Sequence, residues 1–298
     1  MKKFDLVLIS ALMALWGFNF SIIKLGVNNI DPLVLTALRF TFAVFPLILF
    51  IKKPDVQWRY LISYGLTFGV GVWGLTTLSI DAGVSVGMAS LLLDMCVVSS
   101  LFVGWFFLNE QITLPKIIGA SLALLGLLFI ILANGGEITW KGLILVLCAS
   151  VFWSINGVIV KRANTNAIFA FNIWAMLFAP LPLLALAWFA HGADAVSYSL
   201  LEFNTNALIS VLFQAYPTTL LGYWLWNKFI VKYSLSTVAP FTLLVPVFGI
   251  LGGYIFYDET ITSTQITATI LILAGLFISQ KSTYYWLPRF HKKALSKL

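Results

Sequence analysis

Residues 16–24 read WGFNFSIIK, and residues 153–161 read WSINGVIVK. The two stretches agree at four positions with one offset of 137 residues (153 − 16), which pairs Trp16 with Trp153, Asn19 with Asn156, Ile22 with Ile159 and Lys24 with Lys161. Further matches, among them Glu110 with Glu259, follow an offset of 149 residues (259 − 110). Self-similarity of this kind predicts a chain built from two related units. We place the first repeat at residues 1–134 and the second at 135–298, with an insertion at 191–205.

The sequence around these stretches is strongly apolar. Of the 298 residues, 60% are hydrophobic and 10% are charged, whereas about a quarter of an average soluble domain is charged. Lipid is therefore the main solvent of this chain. A helix needs about 20 apolar residues to cross a bilayer, and ten such runs occur, at residues 5–26, 32–51, 58–80, 85–108, 113–133, 139–161, 168–190, 206–230, 235–257 and 262–281. Because these runs are too long and too apolar for barrel strands, we predict an all-α membrane protein with ten transmembrane helices.

The charged residues predict the orientation of these helices. Lysines and arginines in short loops remain on the cytoplasmic side of a membrane. With both termini in the cytoplasm, most basic residues lie there, at Lys2, Lys3, Lys52, Lys53, Arg59, Lys116, Lys161, Arg162, Lys228, Lys232 and in the tail from residue 281 onward. Acidic residues then dominate the outer loops, at Asp31, Asp81, Glu137, Asp194, Glu202, Asp258 and Glu259. Each repeat holds five helices, an odd number, so we expect the second repeat to be inverted relative to the first.

The sequence disfavours several functional classes. The net charge of +7 comes from short basic clusters between apolar runs, which does not favour nucleic-acid binding. Both cysteines lie inside apolar runs, so we expect no disulfide framework, no metal site and no cofactor. The pattern G-x-G-x-x-G at residues 69–74 follows no strand and so predicts no dinucleotide site. The sequence has no Ser-His-Asp order and no phosphate-binding motif, which disfavours an enzyme or a primary pump.

Two ionisable residues, Arg39 and Asp94, lie deep inside predicted helices. Burying such a group in a bilayer costs about 2.5 to 3.5 kcal/mol on insertion scales, so each one suggests a function. With a rise of about 1.5 Å per residue, both lie roughly 10 to 13 Å from the outer ends of their helices and can meet at similar depth. An ion pair that substrate or a proton breaks and a static structural pair are both open readings. We interpret Asp94 as a cavity residue and as the candidate for proton coupling.

Amides and aromatic residues supply further candidates for a substrate cavity. Asn19 and Asn156 each follow a repeat-related tryptophan by three residues, so each shares a helix face with Trp16 or Trp153. Such a face suits an amphipathic solute, although asparagines also join packed membrane helices. The other cavity candidates are Arg39, Trp73, Trp174, Gln214, Tyr216, Tyr223 and Trp224. Among the prolines, Pro240 and Pro246 are the preferred hinge, because proline interrupts helical hydrogen bonding.

Four segments together resemble a known family: the stretch 16–24, Leu38-Arg39-Phe40, Asn109-Glu110, and residues 243–247 with Asp258-Glu259. They look like the EamA branch of the drug/metabolite transporter superfamily, and within it like the bacterial exporters of cysteine- and O-acetylserine-type amino-acid metabolites. The resemblance implies a ten-helix exporter of the bacterial inner membrane with a central cavity between its halves. The substrate stays open, because this superfamily carries many kinds of solute on one scaffold. Asp94 stands where those exporters carry a glutamine, which leaves the coupling ion open as well.

We therefore predict a secondary transporter that exports small metabolites, amino acids or their derivatives. Its expected mechanism is alternating access between two inverted halves, coupled to protons, and its expected partners are a small-molecule substrate, membrane lipid and protons. The alternatives are an exporter of drugs or other metabolites with different coupling, a membrane-embedded enzyme and a channel. A channel needs polar rings along a continuous pore, whereas the polar groups within these runs are sparse. The oligomeric state is left open.

Overall fold

The computed structural model describes residues 1–27, 29–82, 84, 89, 92–133, 139–257 and 263–279. Every regular element in these ranges is a helix. We call residues 1–133 the N-terminal part and residues 139–279 the C-terminal part. The predicted features at Glu137, Asp258 and Glu259 and in the basic tail lie outside the described residues.

The N-terminal part begins with two helices of unequal length and continues through a helix with a wide central turn. Its α-helices are α1 (Lys3–Val27), α2 (Pro32–Val44), α3 (Trp58–Leu66), α4 (Leu75–Asp81), α5 (Cys96–Leu108) and α6 (Leu114–Ala133). A π-helical segment, Thr67–Gly74, joins α3 directly to α4, and we call it the first π segment. Asp31 is the N-cap of α2, because its carboxylate accepts from the backbone N–H groups of Leu33 and Val34 at 2.8 and 3.0 Å.

The C-terminal part also contains a helix with a wide central turn. Its α-helices are α7 (Trp140–Ala163), α8 (Ile168–Met176), α9 (Pro180–His191), α10 (Asp194–Leu201), α11 (Thr205–Phe213), α12 (Tyr223–Lys232), α13 (Leu235–Val238), α14 (Leu244–Tyr257) and α15 (Ser263–Ser279). The second π segment, Gln214–Gly222, joins α11 directly to α12. A 3-10 turn, Ala239–Leu243, joins α13 to α14. Wide helical turns often occur at functional sites, so the two π segments indicate where to look for one.

Six helical stretches in the described residues are long and apolar enough to cross a membrane. They are Lys3–Val27, Pro32–Leu49, Trp58–Ser79, Trp140–Ala163, Ile168–His191 and Leu235–Phe256. Two shorter apolar helices, Cys96–Leu108 and Leu114–Gly126, accompany them. The prediction of an all-helical class is confirmed, and the number of ten transmembrane helices stays a prediction.

The insertion at 191–205 contains helix α10, which no pattern in the sequence predicted. Ser199 of this helix is buried, and its hydroxyl accepts a hydrogen bond from the backbone N–H of Asp31 at 3.0 Å. The helix has only 8 residues, which is too short to show a clear apolar period or to be stable alone. Contact with the start of α2 therefore stabilises a helix that sequence patterns miss.

The two predicted hinge prolines lie in different local environments. Pro240 is in the 3-10 turn between α13 and α14, where the helical hydrogen-bonding pattern changes. Pro246 is in the first turn of α14, where a missing N–H removes little, because first-turn N–H groups lack partners within their own helix. The change of helix type thus falls at Pro240, and the hinge function of both prolines stays a prediction.

Helices α1 and α14 approach so closely that a glycine is needed between them. A Cβ atom added at Gly17 would lie 2.3 Å from Cβ of Phe248 and 2.6 Å from the carbonyl oxygen of Val245. Small residues allow this kind of approach between membrane helices. One buried apolar cluster continues from these helices through both parts of the chain, so this contact helps to hold the cavity residues of α1 in place.

Gly17→Ala is expected to lower the free energy of unfolding by about 1 to 3 kcal/mol, because the new methyl group overlaps atoms of α14. Gly249→Ala is a matched control in the same interface, since a Cβ atom there would lie 4.0 Å from the nearest atom, the carbonyl oxygen of Gly17. Thermal unfolding of both variants in detergent measures the difference. Equal melting temperatures for the two variants would contradict this account of the interface.

Candidate functional site: an aromatic cavity

A cavity lies between the N-terminal and C-terminal parts, at the level of the two π segments. Its aromatic lining is Trp16, Phe20, Trp73, Trp153 and Tyr223, its polar lining is Asn19, Asp94, Cys96, Thr218 and Thr242, and its aliphatic lining is Leu93 and Val245. Its volume of about 40 Å³ gives room for only a few water molecules. Rings of both parts are in direct contact in this lining.

Trp16 is at the centre of the aromatic lining. Its ring centre lies 5.7 Å from that of Trp153 and 4.8 Å from that of Tyr223, so residues of both parts pack directly on one another. The indole N–H of Trp16 donates to the backbone carbonyl of Thr218 in the second π segment at 3.2 Å. A Cβ atom added at Gly222 would lie 2.7 Å from that indole nitrogen. Gly222 thus provides the space in which the indole reaches the π segment.

The two repeat-related asparagines each bond a threonine of a π segment in the other part of the chain. Thr218 donates its hydroxyl to Oδ1 of Asn19 at 3.0 Å, and Thr67 donates its hydroxyl to Oδ1 of Asn156 at 2.7 Å. Asn19 lines the cavity, whereas Asn156 does not. Nδ2 of Asn156 is buried and has no hydrogen-bond partner among the described residues. The asparagines that recur in the sequence therefore form a reciprocal pair of contacts between the two parts.

Asp94 presents a buried carboxylate to the cavity. It lies in the turn before α5 and is 5% exposed, and within the described ranges its Oδ2 atom has no hydrogen-bond partner. Thr242, from the 3-10 turn of the C-terminal part, lines the same cavity, and its hydroxyl donates to the Ala239 carbonyl at 2.9 Å. An ionised carboxylate without a cation is costly to bury. Such a group requires a proton or a cationic ligand.

Arg39 is buried behind the aromatic lining and does not itself line the cavity. Its Nε donates to the hydroxyl of Thr219 at 2.6 Å, and its guanidinium carbon lies 4.3 Å from the centre of the Trp73 ring. Among the described residues the ion pairs are Asp31–His191, Asp81–His191 and Asp5–Lys232. The Arg39–Asp94 pair considered from the sequence is therefore not formed, because Arg39 binds the second π segment and stacks on Trp73 instead.

The structure brings six of the twelve predicted substrate residues to this cavity. They are Trp16, Asn19, Trp73, Asp94, Trp153 and Tyr223. Two others, Arg39 and Asn156, bond threonines of the π segments. The remaining four lie elsewhere: Gln214 donates to the Ser210 hydroxyl at 3.0 Å, Trp174 donates to the Ile51 carbonyl at 2.9 Å, Trp224 packs on Phe169, and Tyr216 is exposed. Sequence reasoning missed Phe20, Cys96, Thr218 and Thr242. A signal for Thr218 was available, since it follows Pro217 in an apolar run.

Polar contacts join the two parts of the chain at the end of the bundle where α1 begins. Glu110 accepts hydrogen bonds from the backbone N–H groups of Leu235 and Ser236 at 2.6 and 2.9 Å, so it caps α13. Asn109 ends α5 with a left-handed φ of 53°, which turns the chain so that Glu110 reaches back across the interface. Lys232 also lies 2.7 Å from the carboxylate of Asp5. These contacts hold this end of the bundle closed.

A second group of polar contacts lies at the end of the bundle where α1 finishes. His191, the last residue of α9, bonds the Asp31 carboxylate through Nδ1, and its Nε2 lies 3.3 Å from the carboxylate of Asp81. Nearby, the side-chain amide of Asn204 donates to Oδ1 of Asn29 at 2.8 Å. The sequence assigned no role to His191, because a single histidine after a helix carries no pattern. Both ends of the bundle thus have polar contacts that join its two parts.

Comparison with known proteins identifies the family of this chain. The model of the EamA-like transporter family matches residues 3–132 and 140–280. A protein of Salmonella typhimurium named "Probable amino-acid metabolite efflux pump" is 33% identical over 94% of this chain and 95% of its own length, and one of the same name from Escherichia coli is 30% identical over the same shares. A solved crystal structure covering 93% of this chain and 98% of its own, at 16% identity, has a TM-score of 0.74 and so shares the fold. The chain belongs to the EamA-like transporter family.

Proposed function

We propose that this protein is a secondary transporter of the bacterial inner membrane that exports small metabolites, amino acids or their derivatives. The names of the two bacterial relatives support this proposal. The family model matches two successive segments of the chain, which supports two repeats at residues 1–134 and 135–298. The distribution of basic and acidic residues supports ten inverted spans with both termini in the cytoplasm.

The observation that carries the proposal is a cavity lined by both parts, with polar contacts between those parts on either side of it. Trp16 and Trp153, at equivalent positions of the repeats, meet in its lining. Rings of the two parts are in direct contact in this lining, so a substrate is proposed to enter when the parts separate. Alternating access would result if the bundle opened in turn at the end where α1 begins, which Glu110 joins, and at the end where α1 finishes, which His191 joins.

The energy for export is proposed to come from a proton gradient, with Asp94 as the group that exchanges protons. The sequence has no phosphate-binding motif, and Asp94 is the carboxylate among the described residues that line the cavity. A carboxylate that must be neutralised before the cavity closes links protonation to conformation. Proton release on the side facing the cytoplasm would then accompany substrate binding there.

Counterflow in proteoliposomes tests the transporter proposal. Vesicles preloaded with an amino acid or derivative are expected to accumulate the same labelled compound from outside, with a rate that saturates as its concentration rises. A panel of amino acids and their derivatives then gives the substrate range. Flux that rises linearly without counterflow indicates a channel, and the absence of flux across the whole panel contradicts the proposal.

A further inference from the structure

We infer that the cavity recognises an apolar organic cation, such as an amine or an amino-acid derivative whose carboxylate is absent or masked, held between Asp94 and the tryptophan faces. This inference rests on the proposed function, because it names the substrate class of the same cavity. It goes further, since the name shared by the two relatives leaves the charge of the substrate undefined. Three features of the cavity carry it.

The first feature is the charge of the lining. Asp94 contributes a carboxylate, and none of the described lining residues is a lysine, arginine or histidine. The carboxylate is 5% exposed, and its Oδ2 has no hydrogen-bond partner among the residues that the structure describes. A ligand ammonium group would satisfy this oxygen with a charge-assisted hydrogen bond. An anionic ligand would bring a second negative charge next to it.

The second feature is the aromatic lining around that carboxylate. Trp16, Trp73, Trp153 and Tyr223 all line the cavity. The ring centres of Trp153 and Tyr223 lie 6.0 Å apart, with Trp16 in contact with both. The faces of indole and phenol rings attract cations and also cover apolar groups. A carboxylate surrounded by such rings suits a cation with an apolar body.

The third feature is the position of Arg39, the buried cation nearest to this lining. Its guanidinium carbon lies 4.3, 5.5 and 6.0 Å from the ring centres of Trp73, Phe40 and Tyr223, so aromatic faces partly offset its charge. Nη2 of Arg39 has no hydrogen-bond partner in the described part of the chain. Trp73 nevertheless covers the guanidinium, and a ligand carboxylate would have to displace that ring to reach it. A zwitterionic amino acid thus has a charged partner for its amine, whereas none of the described lining residues is a cation that could pair with its carboxylate.

Four probes with the same phenyl body separate these charge classes. They are 2-phenylethylamine and phenylalaninamide as cations, phenylalanine as the zwitterion and 3-phenylpropanoate as the anion. Isothermal titration of the full chain in nanodiscs, at a pH where both amines are protonated, measures their affinities. The two cations are expected to bind at least about tenfold more tightly than phenylalanine, the scale of one hydrogen bond to a charged group, and the anion is expected not to bind.

Asp94→Asn is expected to lower the affinity for both cations by about tenfold or more. Asp55→Asn is the matched control, because it makes the same change of charge at an exposed position between α2 and α3, and it should leave all four affinities unchanged. If Asp94→Asn does not fold, the wild-type series alone decides the question. Equal affinity for phenylalanine and its amide, or no binding of either cation, overturns the inference.

The outcomes also separate this inference from the proposed function. If amino acids show counterflow and phenylalanine binds as tightly as its amide, the proposed exporter function stands and the inferred preference for cations is wrong. If the cations bind through Asp94 but no compound shows counterflow, the inferred binding site stands and the proposed exporter function is wrong.

Discussion

Asp94→Asn is expected to abolish solute movement driven by a pH gradient, with a fall in rate of at least about tenfold. Asparagine has nearly the same shape as aspartate but cannot take up or release a proton. In this structure the Asp94 carboxylate is buried against the cavity with one oxygen unpartnered, and no cation within the described residues pairs with it. Removal of its charge therefore removes the group that links protonation to the closed cavity.

Proteoliposomes with an imposed pH gradient measure this effect, with uptake recorded at several external pH values. The wild-type rate is expected to change with pH, and the residual rate of Asp94→Asn is expected to be independent of it. Asp55→Asn should behave as wild type, because Asp55 is exposed and distant in sequence from the cavity residues. An Asp94→Asn rate that equals the wild-type rate at every pH would rule out proton exchange through this residue.

The second large effect is expected for Glu110→Gln, which should open the end of the bundle where α1 begins. Glu110 accepts from two backbone N–H groups of the other part, at 2.6 and 2.9 Å. Glutamine retains one acceptor oxygen, but its NH2 group would face one of the two backbone N–H groups, so two donors would oppose each other. Hydrogen bonds to charged groups contribute about 1.5 to 3 kcal/mol each, so the loss should increase the population of the open state by about tenfold or more.

Cys96 reports this opening directly. Its side chain lines the cavity and is buried, so a small, charged thiol reagent reaches it only when the two parts separate. The experiment uses a Cys148→Ser background, because Cys148 is the exposed cysteine. The rate of Cys96 modification should rise by about tenfold or more in Glu110→Gln. Glu202→Gln, at an exposed position, should leave the rate unchanged, and an unchanged rate in Glu110→Gln as well would mean that the Glu110 contacts do not close this end.

Repetition and charge in the sequence located four of the twelve residues that line the cavity. Trp16, Asn19 and Trp153 were found because the same letters recur at one offset, and Asp94 because a charge stands in an apolar run. These signals arise from the environment that lipid imposes on each position. Thr218 and Thr242 are uncharged and do not belong to the matched repeat positions, and only packing places them in the same cavity as Asn19 and Asp94.

Arg39 illustrates the limit of reasoning from depth alone. The depth of Arg39 below the outer end of its helix allowed a pair with Asp94. Depth alone does not determine the direction in which a side chain points. The structure directs Arg39 to Thr219 and Trp73. Helix α10 illustrates a second limit, because an 8-residue helix depends on contacts with α2 that are distant in sequence.

Composition and run length by themselves determined that this chain is a helical membrane protein, because lipid leaves a backbone few other ways to satisfy its hydrogen bonds. The recurring Trp and Asn residues likewise indicated two related parts. Only the tertiary structure decided that Asp94 has no arginine partner, that Trp73 covers Arg39, and that Glu110 and His191 join the parts at the two ends of the bundle. These facts depend on the direction of side chains from helices far apart in sequence, which a linear pattern does not contain.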